Sequence, residues 1–196
     1  MKLKKLVKIS PGLNTSRLDH DEVKNLVFYD KDAFDLDLRK KNKTPSNYEI
    51  GENSLKEGDL ILYSISNQLA KVGKCNEGMV PSLNFSKVEV ISELLDRDYF
   101  IYMFNESDHI RKQKERELQG LHILKLPLSA LYDIDIPIIP IEIQEKIGRA
   151  YMETLRLRNL TKDYNDLLEV ASMQLLSMKV REENDKKNNS RKRNKI

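Results

Sequence analysis

Residues 134–147 read Ile-Asp-Ile-Pro-Ile-Ile-Pro-Ile-Glu-Ile-Gln-Glu-Lys-Ile, and this stretch decides how the chain is organised. Pro137 and Pro140 fix φ and lack an amide donor, so no regular helix runs through them. A helical pattern of apolar residues begins directly after Pro140. The two prolines therefore predict a boundary between a domain over residues 1–140 and a separate helix.

The segment 141–180 is predicted to form one long amphipathic helix, because apolar residues recur at intervals of three or four. About 40 residues would span about 60 Å, whereas a domain of about 140 residues is only a few tens of Å across. Part of the helix must then pair with another helix, as in a coiled coil, unless the whole stripe packs on its own domain. The expected dimer interface comprises Ile147, Tyr151, Leu160, Tyr164, Leu167, Ala171 and Met178.

Residues 1–140 indicate an α/β domain with a mixed sheet. Strands are predicted at 60–65, 70–75 and 87–91, the first two as a hairpin. Helical spacing over 98–119 ends at Gly120, a residue type that often terminates helices. The expected fold class is thus a mixed-sheet domain followed by one long C-terminal α-helix that forms a coiled coil.

Composition and charge argue against a disulfide-bonded or membrane-spanning protein and indicate a basic C-terminal tail. The 196 residues carry a formal net charge of +3, but residues 181–196 hold seven basic and three acidic side chains, so the remainder is close to neutral. That tail has few apolar residues and is predicted to be disordered. A single cysteine, Cys75, excludes an internal disulfide, and no apolar run approaches a membrane span of about 20 residues. These features favour a cytoplasmic protein.

The chemistry-bearing residues do not form a recognisable catalytic or metal site. The three histidines, His20, His109 and His122, have no metal-ligand spacing, and the scattered glycines form no phosphate-binding loop. A nuclease site could be assembled only loosely, from Asp59, Glu77, Glu89 and Lys87. We therefore expect no enzyme activity, no cofactor and no metal.

Local clusters of basic and amide side chains are the candidates for contact with double-stranded DNA. Lysine and arginine neutralise phosphates, and Ser, Asn and Gln can read base edges. The alternative for each cluster is ordinary solvated surface. The predicted DNA-binding residues are Arg39, Lys40, Lys41, Lys43, Ser64, Ser66, Asn67, Gln68, Lys71, Arg111 and Lys112.

The stretch from Gly58 to about residue 180 resembles the specificity subunit of type I restriction–modification systems. Residues 58–64, Gly-Asp-Leu-Ile-Leu-Tyr-Ser, are similar to a strand of the family's target recognition domain, and residues 95–100 to a helix start. The most specific similarity lies in 128–147, where Pro137, Pro140, Glu142, Gln144 and Ile147 match the family's pattern, while Ile139 and Ile143 depart from it.

The resemblance implies a non-catalytic subunit in which a recognition domain reads half of an interrupted DNA site. The helix would act as a spacer that docks methyltransferase subunits, with a restriction subunit as a further possible partner. Family members usually carry two recognition domains and two helices, whereas this sequence has one of each. A homodimer and a palindromic target are therefore expected.

Two other functions stay open from the sequence. The chain could be an interaction module that binds methyltransferase subunits through its helix without reading DNA. It could also be a standalone enzyme, which nuclease or methylation activity of the purified chain would reveal.

Overall fold

A four-stranded antiparallel sheet forms the centre of the domain. The computed structural model describes residues 1–14, 26–40, 48, 50–119 and 125–193. The strand order is β1-β6-β3-β4, and the bounds are β1 Val7–Pro11, β3 Leu60–Tyr63, β4 Gln68–Lys71 and β6 Phe85–Val90. The predicted hairpin is present, since Leu60 pairs with Lys71 and Tyr63 with Gln68.

A second, smaller sheet lies beside the first helix. Its two parallel strands are β2 Phe28–Tyr29 and β5 Val80–Pro81. Helix α1, Lys31–Leu38, begins where the Asp30 carboxylate accepts a hydrogen bond from the amide of Ala33 at 2.8 Å. Tyr29, Phe34 and Phe85 pack together here as a small core. The fold class predicted from the sequence, an α/β domain with one long C-terminal helix, is confirmed.

The predicted helix over 98–119 is two helices, α2 Arg97–Glu106 and α3 Asp108–Leu118. Ser107 separates them in an extended conformation. The break lets α2 turn its aromatic residues toward the sheet while Ile110 of α3 becomes fully buried in the same core. A single continuous helix could not bury both the aromatic residues of α2 and Ile110 in this core. The apolar spacing alone does not reveal the change of direction. Gly120, the predicted stop, lies outside the described residues.

Helix α4, Leu128–Asp133, leads to the proline-rich stretch, and helix α5, Ile141–Arg193, begins directly after Pro140. The start of α5 is fastened to the domain by Gln144, whose side chain has 0% exposure. Its Oε1 accepts from the Asp96 amide at 3.0 Å, and its Nε2 donates to the carbonyls of Leu94 and Ile139 at 2.9 and 2.7 Å. The loop before α2, the proline segment and α5 are thereby joined at one side chain.

Two further contacts keep α5 close to α2. A Cβ on Gly148 would lie 2.6 Å from the amide nitrogen of Tyr99, so only glycine permits this approach. The Tyr99 hydroxyl donates to the carbonyl of Pro137 at 3.0 Å. Residues that sequence similarity singled out separately therefore meet at one junction.

The first turns of α5 belong to the core of the domain, and two of the predicted interface residues lie there. Ile147 packs against the main core, and Tyr151 is buried against Tyr102 with its hydroxyl donating to Glu106 at 2.9 Å. Side chains enclosed in this way have little surface to offer a second copy. The first part of the apolar stripe therefore packs in the core of the domain.

The chain divides into two compact units, Met1–Arg156 and Leu157–Ile196. The first unit includes the start of α5 as well as the sheet. Within the second unit the helix continues to Arg193, so residues 181–193 are helical where the sequence predicted a disordered tail. Ion pairs one turn apart, Lys179 with Glu182 at 3.0 Å and Lys186 with Glu183 at 2.7 Å, suit a solvated helix.

Replacing Gln144 with alanine should destabilise the domain. Three partly buried backbone groups would lose their partners, and an unsatisfied buried group costs about 1–3 kcal/mol. We expect the free energy of unfolding to fall by about 3 kcal/mol or more, measured by urea denaturation. Glu145→Ala, which changes an exposed neighbour on the same helix, is the control and should shift stability by less than about 0.5 kcal/mol. Equal stability of the two variants would contradict this role of Gln144.

Candidate nucleic-acid interface

The turn that joins β3 to β4, residues 64–67, is held in place by hydrogen bonds at both ends. The amide and the hydroxyl of Ser64 both donate to the carbonyl of Asn84 at 2.9 Å. Asn67 adopts a positive φ of 52°, a conformation that asparagine tolerates better than most residues. Its Oδ1 accepts from the amide of Leu126 at 3.4 Å.

Lys114 fastens this turn from helix α3. Its ammonium donates to the carbonyls of Asn67 and Phe104 at 2.8 and 2.6 Å, and lies 3.5 Å from the centroid of the Phe104 ring. Burial lowers the pKa of Lys114 to about 7. Lys114 therefore holds the turn from inside the domain, although it lies close in sequence to the predicted DNA contacts Arg111 and Lys112.

The four polar residues predicted to read bases therefore separate into two groups. Ser64 and Asn67 are buried and bonded within the domain, so the structure does not favour them as base contacts. Ser66 is exposed at the tip of the turn, and Gln68 is half-buried on the edge strand β4. Ser66 and Gln68 thus remain the candidates for contact with a ligand.

Arg39, Lys40 and Lys71 come from distant parts of the sequence and lie near the other end of the hairpin. Arg39 follows α1 and is exposed, while Lys40 has a φ of 56° and is half-buried. Lys40, Lys71 and Lys74 line a cavity of about 240 Å³. Burial, followed by the charge of Lys71, lowers the pKa of Lys40. Lys41 and Lys43, the remainder of this predicted cluster, lie outside the described residues.

Most charge around that cavity is already paired. Lys71 contacts Asp98 at 2.8 Å, and Lys74 pairs with Glu77. Close by, Lys87 contacts Asp59 at 2.6 Å, so Asp59 and Glu77, two of the three carboxylates of the loose nuclease candidate, are held by lysines. Among the described residues, no three His, Cys, Asp or Glu side chains are grouped so that they could hold a metal ion.

Helix α3 carries two of the predicted DNA-binding residues, Arg111 and Lys112. Arg111 contacts Asp108 at 2.7 Å and Glu115 at 3.8 Å, all with exposed side chains. Such surface pairs contribute at most about 1 kcal/mol, so a phosphate could replace these partners. Lys112 is exposed on the same helix. Both residues are therefore accessible to a polyanion.

Beyond Arg156 the apolar stripe of α5 is exposed. Leu160 is 57% and Leu167 69% accessible, although both are large aliphatic residues. The rest of the predicted interface in this unit, Tyr164, Ala171 and Met178, is exposed as well. In the part of the chain that the structure describes, no helix is long and apolar enough to cross a membrane.

Sequence reasoning missed a second turn beside the first. Residues 82–84, Ser-Leu-Asn, precede β6, and the carbonyl of Asn84 receives both hydrogen bonds from Ser64. Leu83 and Asn84 are exposed. An aliphatic residue between two polar ones at a strand junction was the available signal, and the same pattern recurs at Ser64-Ile65-Ser66.

Comparison with known proteins connects this fold to specificity subunits. No family model and no curated protein matches the chain. The S subunit of the type I restriction–modification system from M. genitalium is similar in structure, with a TM-score of 0.50, 13% identity, and coverage of 83% of this chain and 40% of that one. The resemblance stated from the sequence is thus confirmed at the level of the fold.

Two other solved structures give similar alignments. The HsdS subunit from Thermoanaerobacter tengcongensis aligns with a TM-score of 0.48 and 15% identity, covering 81% of this chain and 37% of that one. A chain from a structure on the assembly and conformational transition of the type I R-M system gives 0.48 and 16%, with coverage of 81% and 38%. This chain therefore spans about two fifths of the length of the chains it resembles.

The buried ammonium of Lys114 predicts a specific pH dependence. Lysine in the unfolded chain titrates near 10.4, whereas burial lowers the pKa of Lys114 to about 7. Between these values the unfolded chain binds more protons, so the contribution of Lys114 to folding becomes more favourable as pH rises from about 7 to about 10. We therefore expect wild type to gain stability relative to Lys114→Met as the pH rises from about 7 to about 10, measured by urea unfolding.

Lys112→Met is the matched control, because Lys112 is exposed on the same helix. Its stability difference from wild type should stay flat over this range. A flat profile for Lys114→Met as well would show that Lys114 titrates as an ordinary lysine.

Proposed function

We propose that this chain is a DNA sequence-specificity subunit of a type I restriction–modification system. It reads half of an interrupted, palindromic site as a homodimer in the cytoplasm, and it directs methyltransferase and restriction subunits without catalysing a reaction itself. The observation that carries this proposal is the fold shared with the S subunit of M. genitalium. A fold alone does not fix a function, so the proposal also needs support from the chain's own residues.

The junction at Gln144 provides that support. Residues that carry the sequence similarity make two sets of hydrogen bonds at the start of α5: the Tyr99 hydroxyl donates to the carbonyl of Pro137, and Gln144 bonds to the backbone of Asp96, Leu94 and Ile139. They form one structural unit rather than scattered matches. The start of α5 thereby belongs to the same compact unit as the sheet, which suits a protein whose DNA-reading domain continues into a helix.

For DNA binding we assign exposed cations to phosphates and uncharged residues to bases. Arg39, Arg111 and Lys112 are accessible for phosphate contact, and counterion release would make this binding strongly dependent on salt. Lys40 and Lys71 contribute only if DNA reaches the cavity that they line. Ser66 and Gln68 are the predicted residues that remain free to face base edges.

The homodimer proposal rests on the exposed stripe of the second unit. Exposed apolar residues on one face of a helix favour association with another helix. This helix exposes Leu160, Tyr164 and Leu167. A second copy of this chain offers the same stripe, and two-fold pairing would give two identical readers. Identical readers on the two sides imply a palindromic target interrupted by a spacer.

A second apolar stripe on the same unit is available for other subunits. Met173, Leu176 and Val180 are all exposed. At 3.6 residues per turn they fall on the side of the helix opposite Leu160 and Leu167. A homodimer that used the first stripe would leave this one uncovered, which suits docking of a methyltransferase subunit.

The alternative is an interaction module that binds methyltransferase subunits through its helix and does not read DNA. The ion pairs of Lys71 and Arg111 favour it, because these cations already have acidic partners. Duplex binding by Arg39→Gln/Lys112→Gln separates the two functions. A DNA reader should lose affinity and show a shallower salt dependence, whereas Lys146→Gln/Arg149→Gln, on exposed positions of α5, should bind like wild type.

A genome-wide map of methylated bases tests the proposed role directly. Deleting the gene from its source cell should abolish methylation at one interrupted, palindromic motif. Loss of an asymmetric motif would keep the specificity role and contradict the homodimer. An unchanged map, together with no duplex binding by the purified chain, would contradict the DNA-reading function.

Leu160→Glu/Leu167→Glu tests the proposed interface. Charges in an apolar seam should raise the dimer dissociation constant about 100-fold or more, because each buried leucine contributes about 1.5–3 kcal/mol. Analytical ultracentrifugation would measure the change. The control Arg158→Gln/Lys162→Gln lowers the net charge by the same amount on the other side of the helix and should stay dimeric. A dimeric Leu160→Glu/Leu167→Glu variant would exclude this seam.

A further inference from the structure

Two exposed aliphatic residues stand together at one end of the main sheet. Ile65 lies in the turn 64–67 and Leu83 in the turn 82–84, which we call the paired tips. Tyr63 pairs with Phe85, and the amide of Ser64 donates to the carbonyl of Asn84, so the two turns leave the sheet side by side. The side chains of Ile65 and Leu83 are 54% and 53% exposed, so neither is needed to fill the core.

The backbone beneath the paired tips is held from several sides. Ser64 ties the two turns together, and Lys114 fastens the first of them to α3. Behind the second turn, a Cβ on Gly12 would lie 2.2 Å from the carbonyl oxygen of Ser82, so glycine is required there. Groups presented on a fixed backbone lose little entropy when they bind, which favours specific recognition.

The charge distribution along the strands indicates what the tips contact. Residues 60–76 and 78–88, which contain both tips, include no Asp or Glu. The nearest acids on these strands lie away from the tips, with Asp59 just before β3 and Glu89 near the far end of β6. Exposed Lys125 precedes Leu126, whose amide binds Asn67. The strands and turns themselves therefore bring no carboxylate to the tips, and a lysine lies beside them, which favours approach to a polyanion.

The polar groups at the tips suit bases rather than phosphates. Ser66 and Asn84 are exposed and uncharged. An asparagine carboxamide can pair with N6 and N7 of adenine, a hydroxyl can serve as donor or acceptor, and aliphatic side chains pack on the thymine methyl group. The four side chains together match the major-groove edge of A·T pairs.

We propose that Ile65, Ser66, Leu83 and Asn84 form the base-reading surface of this chain and recognise A·T pairs in the major groove of double-stranded DNA. This inference rests on the proposed function, and it locates the specificity determinants in a pair of turns of which sequence reasoning identified only one residue, Ser66. A protein partner that covers the two aliphatic residues is the competing occupant.

The test uses the full chain expressed from its own gene, with Asn84→Ala and Leu83→Ala made separately. Each should weaken binding to the methylated motif about 10-fold or more while leaving binding to unrelated duplex unchanged. The methylation map should become degenerate at one position of each half-site. The dependence of binding on salt should keep its slope, since no phosphate contact is removed.

Ile91→Ala is the matched control, because Ile91 is similarly exposed, at 57%, and lies just past the far end of β6. It should leave affinity and motif unchanged. Thermal unfolding at the wild-type midpoint would show that Leu83→Ala and Asn84→Ala are folded.

Three outcomes would overturn the inference, and they point to different causes. If the tip variants keep the wild-type motif and affinity, the proposed function stands and the bases are read elsewhere. If they bind DNA normally and lose methylation at every site, the tips contact a protein subunit. If wild type binds no duplex and its deletion changes no methylation, the DNA-reading function itself fails.

Discussion

The buried side chain of Gln144 is the interaction on which the rest of the structure depends. One carboxamide satisfies a donor and two acceptors from the loop before α2 and the proline segment. Pro140 cannot donate a backbone hydrogen bond, and Pro137 interrupts regular helix. The backbone groups of this segment therefore find few hydrogen-bond partners within the segment itself. Gln144 supplies those bonds, and α5 consequently starts at a fixed place on the domain.

The same use of side chains for backbone bonds protects the edges of the main sheet. On β4, Asn105 accepts from the amide of Leu69 and donates to its carbonyl, both at 2.8 Å, as a neighbouring strand would. On β1, the amide of Ile9 donates to the Tyr132 hydroxyl at 3.1 Å. An uncovered edge strand can pair with another chain. At Leu69 and Ile9, a side chain therefore takes the place that a neighbouring strand would occupy.

Strong local patterns made much of this fold predictable. The proline pair, the alternation in 60–71 and the regular stripe after residue 141 each reflect a rule that acts within a few residues, so the hairpin and the long helix could be anticipated. The break at Ser107 could not, because it depends on how Ile110 and Asn105 meet a core and a sheet edge formed by distant sequence. Helix beyond residue 180 was missed for another reason, since a polar composition signals solvation and is compatible with helix.

The candidate site was harder to predict, because its residues act through partners far away in sequence. Ser64 and Asn67 are polar, which suggested contact with DNA, yet both are bonded inside the domain. Ile65 was predicted within a strand, yet it is exposed in a turn, as is Leu83. Residue type therefore misleads most at these two turns, because polar side chains hold the turns in place and the turns leave aliphatic side chains exposed.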